Sequence, residues 1–162
     1  MPGVADRTAS TEPRTRTVVG RAAVAVATTW AIPGLGHLLL RRTRRGLLFG
    51  AIVWTSFGLG VAHEGRLALR DPRQPVLSAL QVVANLGVGP ADLLARIAVY
   101  GAPAYAFRGT PGPRAGDPIE ETFRNRTRSG VSIYGTAYLW TAGLMNLLLL
   151  FDVWDIAVGR RT

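Results

Sequence analysis

The chain reads as an all-α integral membrane protein, a helical bundle of about four transmembrane segments, and three observations carry that expectation. Hydrophobic residues make up 48% of the 162 positions, although the formal net charge is +9. Charge and apolar residues are segregated, with arginines filling the gaps between uncharged runs, as in membrane proteins; a soluble basic domain interleaves the two at helical spacing. The runs 22–40, 46–62 and 131–151 also approach the ~20 residues that carry a helix across ~30 Å of hydrocarbon.

Residues 1–17 are polar, with Pro2 and Pro13 among Ser, Thr and Arg, a composition expected of a disordered tail. Ala25-Val26-Ala27 offers a small-x-small cleavage site. Asp6 and Glu12 dilute the positive start, however, and the apolar run continues to Leu40, so an uncleaved first helix over about 21–40 is expected. Pro33 lies inside it and deprives one carbonyl of its donor, which predicts a kink or local unwinding near Ile32. Gly34 and Gly36 let another backbone approach closely. His37 follows Pro33 by one turn and reads as an interfacial histidine near the helix end, free to bond a neighbour. Arg41, Arg42, Arg44 and Arg45 then form a turn that cannot enter hydrocarbon cheaply and that faces anionic lipid headgroups.

The second helix, about 46–62, opens with Gly46 and Gly50 at the small-xxx-small spacing that permits tight packing. The 63–75 stretch reads as a polar loop, and its His63-Glu64 pair lacks the second histidine that a zinc-hydrolase helix carries. Residues 76–107 are apolar but interrupted at Gly89-Pro90, and two readings stay open: an interfacial helix leading into a short span, or two half-helices that dip in and out. Asp92 and Arg96 are spaced to neutralise each other. Residues 108–130 read as an extramembrane loop. Within it, Asp117-Pro118-Ile119-Glu120 signals a short amphipathic helix, its Ile119 and Phe123 facing the membrane surface. The last helix, about 131–154, is the strongest crossing. Gly135 and Gly143 share a face suited to packing on the first two helices, Asn146 needs a partner on another helix, and Asp152 and Asp155 need cations, with Arg160 and Arg161 nearest.

Four crossings place both termini on one side, opposite the 41–45 turn. The arginines then divide equally and the charge rule favours neither orientation; the closing Gly-Arg-Arg points to cytoplasmic termini. If 76–107 fails to cross, the C-terminus joins the side of the 41–45 turn.

No cysteine is present, which excludes disulfides, thiolate metal sites and cysteine nucleophiles. Two histidines do not make a zinc site, so neither a metal nor a cofactor is expected. Every basic residue is arginine, a pattern that codon bias explains. The arginines flank apolar runs instead of forming a face interleaved with aromatics, so nucleic acid is discounted.

The segment Pro33-Gly34-Leu35-Gly36-His37, the basic turn and Gly46-Leu47-Leu48-Phe49 resemble bacterial two-helix membrane hairpin domains. With the C-terminal run from Ala142 through Asp152 to Ala157, the chain is similar to a bacterial family of small multi-pass membrane proteins of unknown function. The resemblance implies a bacterial inner-membrane location and a helical fold, and no reaction.

The expected role is a non-catalytic accessory or structural subunit that packs against other membrane protein subunits of a larger complex. The alternative is a small transporter or channel component with a polar path through Asn85, Asp92, Arg96 and Asn146. No catalytic residues are assigned, since His37, His63, Glu64, Asp152 and Asp155 show no recognised catalytic spacing.

Overall fold

A computed structural model describes residues 12–107 and 117–161. The remainder of the expected tail, 1–11, and the 108–116 part of the expected loop lie outside them. Seven α-helices make up the fold of the described residues: α1 Glu12–Ala31, α2 Leu35–Leu39, α3 Thr43–Ala62, α4 Pro75–Leu86, α5 Pro90–Tyr100, α6 Pro118–Arg128 and α7 Ser132–Ala157. Helix α1 begins at Glu12, inside the stretch read as a tail.

Two helices, α3 and α7, are each long and apolar enough to cross a membrane. They pack antiparallel along their lengths. Gly60 meets Leu139 and Gly65 meets Gly135 near one end, while Arg45 and Asp152 line one groove at the other.

The other two expected crossings are not continuous helices. The apolar run 22–40 breaks at Ala31, and the chain reverses through Pro33 and Gly34, whose φ of 90° is left-handed. Helix α2 then lies back along α1, so that a Cβ on Gly36 would strike the Ala25 carbonyl and the Thr29 hydroxyl. In an unbroken helix Gly36 and Ala25 would be ~16 Å apart. The expected kink is thus a full reversal. Proline removes the donor, and glycine supplies the backbone conformation that a side chain would obstruct.

Residues 75–100 form two short helices with a sharp break between them, the geometry of a broken span or a re-entrant loop. Helices α4 and α5 meet at a bend of 110° around Gly89, φ 72°. The connectors at their outer ends touch: the Arg70 N–H donates to the Tyr105 carbonyl at 2.8 Å, and Arg70 and Ala106 form an isolated β-bridge. The outer ends of the pair therefore lie close together, at the same end of the bundle.

The bundle is two antiparallel span-length helices, α3 and α7, with the bent pairs α1–α2 and α4–α5 packed against them. Val18, Arg21, Leu40, Arg42, Ile156 and Arg161 line one cleft, so the start of α1, the 41–45 turn and the end of α7 share a face. The expectation that the turn lies opposite the C-terminus is corrected: the turn and the end of α7 line the same cleft, because the 22–40 run reverses at Pro33 and Gly34. This arginine face carries Arg21, the four turn arginines, Arg160 and Arg161, with Asp152 and Asp155. Arg66, Arg70, Arg73, Arg124, Arg126 and Arg128 lie on the opposite face, accompanied by Glu64, Asp71, Asp117, Glu120 and Glu121.

One core cluster, at mid-depth, joins Val53, Val88, Ala91, Ala142 and Leu149. The second, nearer the far face, joins Leu67, Leu69, Tyr100, Ile119 and Leu139, with Phe107 and Phe123 against it. Asp117 caps α6 by accepting from the Ile119 N–H at 3.0 Å. Ile119 and Phe123 face this protein core and not a membrane surface, because buried Leu67 and Leu69 of the connector offer an apolar bed directly beneath α6.

Candidate functional site

A helix that stops inside a bilayer leaves terminal carbonyls without donors, and no water is present to supply them. Helices α1 and α4 each stop within the apolar bundle, and their ends are satisfied where they meet. The indole Nε1 of Trp30, at the end of α1, donates to the Leu86 carbonyl at 3.1 Å. From α7, the Asn146 amide donates to the Gly87 carbonyl at 2.8 Å and to the Thr29 carbonyl at 3.3 Å. One side chain, fully buried, thus ties the C-terminal ends of α1 and α4 to a spanning helix. It reaches them because Gly143, one turn earlier, lets α4 lie directly on α7: a Cβ there would overlap the Ala84 carbonyl oxygen. Gly87 faces Gly143 in turn, its own Cβ position 2.7 Å from the Gly143 carbonyl carbon.

A second centre lies toward the arginine face. Buried His37 shares a hydrogen bond of 3.0 Å between its Nε2 and Asp152 Oδ2, and Arg161 donates to the other oxygen at 2.9 Å. Four glycines make this possible. Gly46 is packed on the Gly34 carbonyl, Gly50 on the Pro33 carbonyl, and Gly36 fits between α1 and Val153. The Arg42 N–H closes the turn onto the His37 carbonyl at 2.8 Å.

The third centre holds α5 to the far-face connectors. Arg96 Nε donates to Asp92 Oδ2 at 2.8 Å, both side chains being buried. Its Nη1 donates to the Ala68 and Ala104 carbonyls at 2.9 and 2.7 Å, and its guanidinium carbon lies 4.2 Å from the Tyr105 ring centre. Nearby, the Tyr100 hydroxyl donates to the Leu67 carbonyl at 2.9 Å.

The residues singled out from the sequence therefore sort into different places. Pro33, Gly34, Gly36, His37, Gly46 and Gly50 come together where α1, α2 and α3 meet, and Asp152 joins them. Asp155 lies 3.7 Å from Arg160. Gly143 and Asn146 act at the meeting of the half-helices, while Gly135 packs on Gly65 and the His63 carbonyl, so neither glycine of that face serves the expected contact with the first two helices. Arg41, Arg42, Arg44 and Arg45 line the arginine face. Sequence reasoning missed Thr29 and Trp30 as bonding partners, together with the connector carbonyls that Arg96 satisfies. The only signal for Trp30 was an indole beside an expected helix break.

Among the described residues, no group of three or more His, Cys, Asp or Glu is placed to hold a metal ion.

No curated protein and no solved structure matches the chain. A family model matches residues 24–162, a span that includes all three polar centres. By that match the chain belongs to the DUF6677 family, a family of unknown function.

Proposed function

We propose that this protein is a non-catalytic integral membrane subunit that works through what its membrane-embedded faces bind. The reading rests on how the buried polar side chains are employed. Asn146 ties the ends of α1 and α4 to α7, Arg96 ties α5 to the connectors and His37 ties α2 to α7, and the outward surfaces of the helices are apolar. Leu47, Leu48, Leu80, Leu94, Leu144 and Leu148 are all exposed, an apolar area that in a membrane meets lipid or other subunits. The inner membrane of a bacterium is the proposed location. The proposed orientation puts the arginine face in the cytoplasm, because the four-arginine turn lies within a few residues of a membrane entry point and the closing arginines join it there.

The test is alkaline carbonate extraction of membranes, followed by native electrophoresis in mild detergent. The protein is expected in the membrane pellet, and then in a discrete complex larger than its 17.4 kDa. Release by carbonate would refute membrane integration. Migration as a lone chain at every detergent concentration would refute the subunit role.

A transporter component is the second reading, and one observation favours it. The C-terminal ends of α1 and α4 converge on Asn146, and helix C-termini carry partial negative charge that transporters direct at cations near mid-membrane. Cation uptake into liposomes by the purified protein supports this reading if Asn146→Leu abolishes it. No uptake above empty liposomes refutes it.

A further inference from the structure

We propose that the end of α7 at the arginine face holds one anionic diacyl glycerophospholipid, its two chains straddling Phe151 and its phosphate among Arg45, Arg160 and Arg161. The proposal rests on the membrane location put forward above and deepens it by naming a particular ligand and seat.

Two grooves flank this part of α7. The first, about 710 Å³, opens toward α3, with Phe49, Met145, Leu148 and Leu149 along its bed. The second, about 510 Å³, opens toward α1, with Val26, Leu147, Leu150 and Trp154 along its bed. Phe151 and Asp155 border both. Phe151 is 71% exposed, so it stands as a ridge between two apolar channels that share one charged rim. A single-chained amphiphile would leave one channel empty.

The rim chooses the headgroup. Arg45 and Arg161 border the first groove and Arg160 the second, against Asp152 and Asp155. Asp152 is already engaged by His37 and Arg161, and Asp155 by Arg160. Arg45 has no ionic partner among the described residues, and Arg41, Arg42 and Arg44 stand on the same turn. The excess charge is positive. A phosphate takes up arginine donors in pairs, and a headgroup with net negative charge gains about fivefold in affinity (~1 kcal/mol) from Arg45 at the groove rim, the turn arginines outside the grooves adding less. Trp154 lines the second groove beside these arginines, at the water boundary where indoles settle.

The experiment is native mass spectrometry of the full chain released from detergent micelles supplied with phosphatidylglycerol, phosphatidylethanolamine or inorganic phosphate. One phosphatidylglycerol adduct is expected to survive, at least fivefold more abundant than the phosphatidylethanolamine adduct. Arg45→Gln should lower it about fivefold, while Arg44→Gln, which changes charge outside the grooves, should lower it less than twofold. Leu148→Trp, which fills the first channel and touches no ion pair, should lower it as well. Equal retention of the two lipids, equal effects of the two arginine variants, or binding of inorganic phosphate without lipid would each overturn the proposal. Carbonate extraction of the same variants reports membrane insertion separately: a chain that inserts but retains no lipid sinks this inference alone.

Discussion

The two single removals within the Asp92–Arg96 pair should together cost far more than the removal of both. With Arg96→Met the carboxylate is left buried without its cation, and with Asp92→Asn the guanidinium is left buried without its anion. Such single losses typically cost ~3–5 kcal/mol. Arg96→Met also strips donors from the Ala68 and Ala104 carbonyls, so it should be the worse of the two. In the double variant no charge is buried, and the remaining penalty is the two unpaired carbonyls, ~1–3 kcal/mol each, which the Arg96→Met single carries as well. The two single costs should therefore exceed the double cost by at least ~2 kcal/mol, a coupling expected only of side chains in direct contact. Unfolding by sodium dodecyl sulfate in mixed micelles, followed by tryptophan fluorescence, measures all four proteins. A double variant whose cost equals the sum of the singles within ~0.5 kcal/mol would refute the reasoning, because the pair would then not be acting as a unit.

Gly143→Val should push α4 off α7 and lower stability by several kcal/mol in the same assay, since a backbone carbonyl occupies the position of its first side-chain carbon and overpacking alone costs ~1–3 kcal/mol. Gly58→Ala, where nothing lies within 4 Å, should be neutral or slightly stabilising; equal losses at the two sites would show that the close approach is not real. Asn146→Leu keeps the number of side-chain heavy atoms but removes both donors to Thr29 and Gly87, and should cost ~1–2 kcal/mol, near the upper range for a side-chain bond between membrane helices; an unchanged unfolding midpoint would exclude those bonds. The chain has no cysteine, so single introduced cysteines report sidedness. In sealed vesicles, positions 44 and 160 should react with an impermeant maleimide from one side, and positions 74 and 101 from the other. Opposite sides for 74 and 101 would mean that the α4–α5 pair crosses.

Much of the secondary structure was legible in the residues. The uncharged runs mark α3 and α7. Pro33 and Gly89-Pro90 mark the interruptions, and Asp117 marks the start of α6. Local chemistry suffices for these, because a missing N–H, a left-handed φ or a capping carboxylate acts within a few residues. The pairing of Arg160 and Arg161 with the two aspartates was equally near at hand, since the two arginines follow the end of α7 and the aspartates lie within its last two turns.

What the chain does after each interruption was not legible. A kinked span and a reversed half-span have the same hydropathy and the same proline. They differ in whether the stranded carbonyls find donors, and here the donors come from far along the chain: Trp30 reaches 56 residues to Leu86, and Asn146 reaches back 117 to Thr29. Residue order specified which segments avoid water and where their helices must stop. Packing decided that two of the stops are sharp reversals within the bundle joined through one asparagine, because a buried carbonyl must be satisfied by whatever donor the folded chain brings within ~3 Å of it.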